Sequence, residues 1–142
     1  MPHSLKISPQ ALQKVKNLTN HQFKCILNIY EKYKELTSMK ISGIYKIVNK
    51  LNNKIYIGQS ENCYGRWLQH KTASKTQLSP LYNDIREYGI ENFYFKIIDR
   101  IPAYLLNQRE QEYIKKYNSL YPNGYNLDKG GNYYGKDSYK SN

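Results

Sequence analysis

The sequence predicts a small α/β (α+β) domain: a central three-stranded sheet, mixed or antiparallel, flanked by helices, with a helical extension at the amino end. Two β-rich runs stand close together at residues 43–48 and 54–58, and a third follows at residues 93–98. Segments with helical periodicity precede and separate these runs. Strands mixed with helices in this order are typical of a small sandwich, and 142 residues suffice for one domain plus an appendage.

The amino-terminal segment has the pattern of helices. Ser8-Pro9 is a capping residue followed by a proline suited to a first helical turn, and apolar residues recur at helical spacing from Leu12 to Tyr33. A polar break near Thr19-Asn20 predicts two helices rather than one. We therefore assign residues 1–40 to an N-terminal helical extension.

The remaining elements follow from local signals. The first two β-rich runs are joined by Asn49-Lys50-Leu51-Asn52-Asn53, and asparagine tolerates the left-handed backbone of tight turns, so a hairpin is expected. The stretch after Gly130 has no periodicity and is expected to be loose. Three further helices are predicted: from Ser60 or Asn62 to about Ala73, from Ser79-Pro80 to Gly89, and from Pro102 to about Asn118.

The charge favours a polyanionic partner. Lysine and arginine number 22 against 11 acidic residues, which gives a net charge of +11, and residues 1–40 carry +5 of it. Sixteen tyrosines accompany the charge, as on surfaces that stack nucleic-acid bases. An AT-rich genome produces a similar composition, so charge alone leaves the partner open. No segment has the layout of a membrane span or secretory signal and two cysteines are too few for a disulfide framework, so an intracellular protein without membrane association is expected.

Two tyrosines stand out in the hairpin. Tyr45 and Tyr56 lie on adjacent predicted strands, each near a glycine, Gly43 and Gly58. If the strands pair, the two phenols can meet. The alternative is that both are ordinary strand residues, because tyrosine is favoured in sheets.

The helix after the hairpin presents a candidate phosphate site. Arg66 and His70 are four residues apart and share a helix face. Arginine donates two parallel hydrogen bonds to phosphate oxygens, and histidine can relay a proton near neutral pH. An exposed helix face would carry the same two residues without any function.

One carboxylate falls on an apolar helix face. Glu110 belongs to a stripe with Leu106, Tyr113 and Tyr117 at helical spacing. A carboxylate in such a place needs either an arginine or lysine partner or a divalent metal, since Mg²⁺ prefers oxygen ligands. The sequence contains no DxE, D/ExK or HExxH string to support a two-metal site.

Taken together, these residues resemble the GIY-YIG nuclease family. The chain has Gly43-Ile44-Tyr45, ten intervening residues, Tyr56-Ile57-Gly58, then the arginine and histidine, then the glutamate, and finally Asn126. The resemblance covers residues 41–130, with 131–142 left as a flexible C-terminal tail. The block Asn123-Gly124-Tyr125-Asn126-Leu127 is similar to the phage and intron-encoded homing endonuclease branch.

The resemblance implies a DNA endonuclease that hydrolyses phosphodiester bonds with a single divalent cation, Mg²⁺ or Mn²⁺, held by Glu110. It implies that water is the nucleophile and that a hairpin tyrosine, which we take to be Tyr45, accepts its proton directly or through a neighbour. Tyr56 is expected to line the same site.

The other implied site residues support the reaction. Arg66 is expected to stabilise charge on the phosphate, His70 to orient groups or relay protons, and Asn126 to support the geometry. A homing or mobile-element enzyme is the first interpretation. Restriction or repair nucleases, a catalytically inactive nucleic-acid-binding module and a partner-binding protein remain alternatives. The oligomeric state is open, with a dimer through the N-terminal helices as one possibility.

Overall fold

The computed structural model describes residues 8–132, which divide at Ser38/Met39 into two compact units. The first unit consists of helix α1 (Pro9–Lys16) and helix α2 (Asn20–Ser38). Thr19 separates them because its Oγ1 accepts a 3.2 Å hydrogen bond from the Gln22 amide, while its own amide donates to Gln22 Oε1. This reciprocal cap begins α2 at the break that the sequence predicts.

The second unit contains a three-stranded antiparallel sheet. Its strands are β1 (Gly43–Asn49), β2 (Ile55–Ser60) and β3 (Phe93–Arg100), in the order β2-β1-β3. In the hairpin, Tyr45 pairs with Gly58. The α+β fold class predicted from the sequence is confirmed, and the sheet is antiparallel throughout rather than mixed.

Helices cover both faces of this sheet. The helices are α3 (Cys63–Ala73), α4 (Pro80–Tyr88) and α5 (Leu106–Tyr117). Because neighbouring strand residues point to opposite faces, Tyr45 packs in a cluster with residues of α3 and α4, whereas Ile44 packs in a second cluster with residues of α5. The central strand β1 is therefore buried on both sides.

Side-chain caps set the ends of two helices. Asn62 accepts from the Gly65 amide at 3.2 Å and begins α3, and Ser79 accepts from the Tyr82 amide at 3.1 Å and begins α4. The cap at Ser79 fixes where Tyr82 lies in the first turn of α4, which places its ring in the cluster with Tyr45.

The predicted flexible tail, residues 131–142, lies outside the described residues from position 133 onward, as do residues 1–7. The predicted domain limits, 1–40 and 41–130, stay predictions. Between residues 8 and 132, no helix is long and apolar enough to cross a membrane.

Candidate active site

A cavity of about 340 Å³ opens in the second unit between β2, α3, α4, α5 and the segment after α5. Five of the six predicted site residues line it, and the sixth, Tyr45, is buried and absent from its wall. Most of the lining residues have polar or charged side chains, and some of them were indicated by no motif. The wall of the cavity includes Tyr56, Arg66, His70, Tyr82, Glu110, Asn126, Asp128 and Gly130.

The hairpin brings the two tyrosines together. The ring centroids of Tyr45 and Tyr56 lie 6.3 Å apart. The Tyr45 ring crosses directly over Gly58, where an added Cβ would lie 2.3 Å from the Tyr45 hydroxyl oxygen. Glycine at this position therefore makes room for the phenol. Only 1% of Tyr45 is exposed, so a water in the cavity reaches it only through a neighbour.

Burial makes both phenols difficult to ionise. The pKa of Tyr45 is raised well above its usual value by loss of solvent, and then by the nearby Tyr56. Burial also raises the pKa of Tyr56 to about 12, while the positive charge of Arg66 and a hydrogen bond from Tyr45 act to lower it. Tyr56 is thus the phenol that lines the cavity. Burial, Glu110 and Tyr82 disfavour its ionised form, and the charge of Arg66 opposes them.

His70 lies between two phenols. Its Nε2 is 2.7 Å from the Tyr45 hydroxyl oxygen, and its Nδ1 is 2.7 Å from the hydroxyl oxygen of Tyr82. The imidazole is 1% exposed, and burial followed by the charge of Arg66 lowers its pKa to about 3. His70 is therefore neutral at physiological pH, with one ring nitrogen donating and the other accepting.

Arg66 supplies the positive charge of the site. It lies one turn before His70 on α3, and both residues line the cavity. Its guanidinium donates to the Gln69 side chain at 3.1 Å. Its charge lowers the pKa values of Tyr45, Tyr56 and Tyr82, opposing the effect of burial on each. The cluster of phenols is thus electrostatically coupled to one guanidinium.

Glu110 faces the cavity from α5. Its Oε1 accepts a 2.7 Å hydrogen bond from the Gly131 amide. Burial raises the pKa of Glu110, and the charge of Asp128 adds to that rise. Within the described part of the chain no lysine or arginine pairs with Glu110; instead Arg109, beside it, bonds to Asp99 at 3.0 Å.

The donor set around Glu110 fits one hard cation. A carboxylate has about four lone-pair positions, of which the Gly131 amide uses one. Mg²⁺ is commonly held by one or two carboxylates and keeps several waters, for which the cavity has room. Among residues 8–132 no group of three or more His, Cys, Asp or Glu side chains could hold a metal, so an all-protein cage is absent there.

Asn126 secures the edge of the sheet. Its Oδ1 accepts from the Ile57 amide at 2.9 Å, and its Nδ2 donates to the Ile57 carbonyl at 2.8 Å. A third bond comes from the Ser119 hydroxyl at 2.7 Å. Because β2 is an edge strand, this side chain takes the place of a neighbouring strand beside Tyr56.

Several residues of the site gave no usable signal in the sequence. Tyr82 fits the apolar face of α4 with Leu81 and Ile85, so its pattern indicates only a core residue. Gly130 and Gly131 both have positive φ, at +81° and +77°, and lie against the side chains of α5. A pair of glycines is a turn signal, but it does not name the group that the turn will contact.

Comparison with known proteins identifies the class. Residues 41–126 match the GIY-YIG catalytic domain. That match spans more than half of the chain, and the chain therefore belongs to the GIY-YIG nuclease family. The predicted resemblance is confirmed.

Its relatives include intron endonucleases. The chain is 38% identical over 91 residues to intron-associated endonuclease 1 of Enterobacteria phage T4, covering 61% of this chain and 36% of that protein. It is 28% identical over 137 residues to the probable intron-encoded endonuclease bI1 of Neurospora crassa, covering 84% of this chain and 30% of that protein. The chain thus spans about a third of the length of these curated relatives.

Solved structures share its fold. The catalytic domain of intron endonuclease I-TevI, in a mutant form, aligns with a TM-score of 0.58 at 34% identity, covering 63% of this chain and 96% of that chain. A second structure of the catalytic domain of homing endonuclease I-TevI aligns with a TM-score of 0.56 at 35% identity, over 61% of this chain and 98% of that one.

Proposed function

We propose that the chain is a DNA endonuclease of the homing or mobile-element type, which hydrolyses phosphodiester bonds with one divalent cation at Glu110. One observation carries the proposal: a guanidinium, a cavity-facing phenol and a half-buried carboxylate line the same 340 Å³ cavity. These three groups come from α3, β2 and α5, so only the folded chain brings them together.

Each group has a role that follows from its position. Arg66 binds a phosphate oxygen and stabilises the negative charge that develops during hydrolysis. Tyr56 faces the attacking water, and Tyr45, packed behind it with 6.3 Å between the ring centroids, acts through Tyr56. This indirect form of the role expected for Tyr45 follows from its burial.

Ionising the phenol is the costly part of this chemistry. Each pKa unit corresponds to about 1.4 kcal/mol, so a Tyr56 with a pKa of about 12 costs about 7 kcal/mol to ionise at pH 7. That cost already includes the lowering effects of Arg66 and Tyr45 on the pKa of Tyr56. A divalent cation, when bound at Glu110, supplies further positive charge for the phosphate oxygens.

A supercoiled-plasmid assay tests the proposal. The full chain is incubated with plasmid and Mg²⁺, Mn²⁺ or EDTA, and the nicked and linear products are measured. We expect cleavage that EDTA abolishes, and losses of at least about a hundredfold for Glu110→Ala, Arg66→Ala and Tyr56→Phe, in line with single groups that act on the reacting charge.

Glu112→Ala is the matched control, because Glu112 lies on the same helix and is exposed. It should cleave like the unchanged chain. Cleavage by Glu110→Ala equal to that of Glu112→Ala would contradict the placement of the metal. Salt-sensitive DNA binding without any metal-dependent cleavage would favour the inactive binding module instead.

We infer the type of nuclease from the proteins to which the chain is similar. The similarity to an intron-associated endonuclease of a phage and to a probable intron-encoded endonuclease of a fungus favours a homing or mobile-element role over restriction or repair. We propose that residues 1–40, with their charge of +5, add contacts to the DNA backbone or form a dimer contact. Deleting them should weaken DNA binding or change the oligomeric state, and an unchanged protein on both counts would refute this role.

A further inference from the structure

A second cavity, of about 410 Å³, opens beside the second half of α5. Part of its lining comes from that helix and part from the chain that follows it. The lining residues are Gln111, Ile114, Lys115, Asn118, Leu120 and Lys129. The reaction proposed above involves none of them.

One turn of the chain forms a wall of both cavities. Asp128 and Gly130 line the active-site cavity, whereas Lys129, between them, lines the second cavity. The Gln111 side chain donates to the Gly130 carbonyl at 3.2 Å and holds this turn against α5. The two cavities are therefore neighbours, separated by the width of one turn.

The charges of the second cavity suit an anion. Its two charged residues are Lys115 and Lys129, and among residues 8–132 no carboxylate lines it. In the same range neither lysine is paired with an acidic side chain. Asp128, the acid next in sequence, accepts from Gly130 and Asn132 instead. Two ammonium groups are thus available to a ligand, and each has three donors.

The rest of the lining suits the sugar of a nucleic acid. Ile114, which is buried, and Leu120, which is exposed, add apolar surface beside the two ammonium groups. A deoxyribose presents carbon atoms next to each phosphate of a DNA strand, so one backbone unit offers both kinds of contact. A free inorganic anion would use only the lysines.

We infer that this cavity is a second phosphate subsite, which holds a backbone phosphate of the DNA strand close to the phosphate that is cut. Lys115 follows Glu110 by five residues, so it lies about 7.5 Å further along the helix axis. One strand of a duplex advances about 3.4 Å per nucleotide, so this separation corresponds to about two nucleotides. The inference rests on the proposed function for which phosphate is cut, whereas binding of the backbone does not depend on cleavage.

Binding is measured without cleavage, by fluorescence anisotropy of the full chain with a labelled DNA duplex in EDTA at several salt concentrations. In a Lys115→Gln, Lys129→Gln variant, the slope of log K against log salt should become shallower by about 1.8, since each lost phosphate contact removes about 0.9. Affinity near 0.1 M salt should fall at least about tenfold. A Lys115→Arg, Lys129→Arg variant keeps both charges and should bind like the unchanged chain.

The matched control is Lys50→Gln, Lys96→Gln, which removes the same charge from two exposed lysines that line neither cavity. It should weaken binding less than about threefold. An equal loss in the two glutamine variants would overturn the inference, because net charge alone would then explain the effect. Unchanged DNA binding by Lys115→Gln, Lys129→Gln would also overturn it and leave an acidic protein as the partner for these lysines.

The plasmid assay provides an independent readout. For Lys115→Gln, Lys129→Gln, KM should rise at least about fivefold while kcat stays within about twofold, because the lost contact binds substrate and transition state alike. A fall in kcat without a change in KM would contradict a binding subsite. If the unchanged chain binds DNA but does not cleave it, the proposed function fails and anisotropy still decides whether the cavity binds the backbone. If it cleaves and the glutamine variant binds normally, only the inference about the second cavity fails.

Discussion

The backbone amide of Gly131 donates a 2.7 Å hydrogen bond to Oε1 of Glu110. The two residues are 21 positions apart, and the contact exists because Gly130 and Gly131 both adopt left-handed backbone conformations. Asp128 supports this turn, since its Oδ1 accepts from the Gly130 amide at 2.8 Å. The segment after α5 therefore fixes the orientation of the Glu110 carboxylate, which we propose as the metal ligand.

Gly130→Ala should impair the metal site. A Cβ at Gly130 would lie 2.6 Å from Glu110 Oε1, and its φ of +81° is unfavourable for alanine by about 1–2 kcal/mol. We expect the carboxylate to shift and the Mn²⁺ concentration for half-maximal plasmid cleavage to rise about tenfold or more, as for a lost supporting contact.

Gly131→Ala separates strain from displacement. It has the same left-handed backbone, but its added Cβ would meet the side chain of Gln111 rather than Glu110. The free energy of unfolding of Gly131→Ala should fall by about as much as that of Gly130→Ala. The Mn²⁺ concentration needed for half-maximal cleavage should rise less. Equal metal requirements in the two variants would show that backbone strain alone is responsible.

His70 should make the second unit less stable in acid. In the folded chain its pKa is lowered to about 3, whereas an unfolded histidine titrates near 6.5. Between these values the unfolded chain binds a proton that the folded chain does not, so stability present above pH 6.5 is lost as pH falls toward 3. From pH 6.5 to 5 the loss is about 2 kcal/mol, at about 1.4 kcal/mol per unit.

Denaturant unfolding of the full chain at pH 7 and pH 5 measures this effect. The single tryptophan, Trp67, stacks on Phe95 with 5.4 Å between ring centroids, so its fluorescence reports on the second unit. The pH-dependent loss should be about 2 kcal/mol smaller in His70→Gln than in the unchanged chain. His21→Gln, which alters an exposed histidine, should keep the full loss.

The strands of the sheet could be predicted from the sequence because each is marked by residues within or next to it. Strand alternation places Tyr45 on one face and Ile44 on the other, and the asparagine-rich loop closes the hairpin without information from elsewhere. The i, i+4 spacing of Arg66 and His70 likewise suffices to predict a shared helix face. Each of these predictions depends only on the residues of one short stretch of the chain.

The rest of the site depends on contacts between distant segments. Asn126 follows no pattern in its own segment; its side-chain amide matters because Ile57 lies on an edge strand and has no second strand to pair with. Only the family resemblance pointed to it. Tyr82 has the periodicity of a core residue, and its hydroxyl reaches His70 only because α4 packs beside α3. Contacts between distant segments of this kind depend on tertiary packing, and the periodicity of one segment gives no information about them.

Asn126→Asp should loosen the edge of the sheet. The substitution keeps the acceptor for the Ile57 amide but replaces the donor to the Ile57 carbonyl with a second oxygen. Two acceptors then face each other in a buried place, which we expect to cost about 1–3 kcal/mol. Hydrogen exchange of the Ile57 amide, followed by NMR, should accelerate. Asn132→Asp, at an exposed side chain, is the control and should leave that amide protected.

Gly58→Ala should disturb the tyrosine pair through a direct clash. The added Cβ would lie 2.3 Å from both the hydroxyl oxygen and Cζ of Tyr45, and that ring is fully enclosed. We expect a loss of about 1–3 kcal/mol in the free energy of unfolding, as for other overpacked cores, together with reduced plasmid cleavage. In a Tyr45→Leu background the shorter side chain does not reach over residue 58. Adding Gly58→Ala there should cost less than it does in the unchanged chain, and an equal cost in both backgrounds would show that the clash is not with Tyr45.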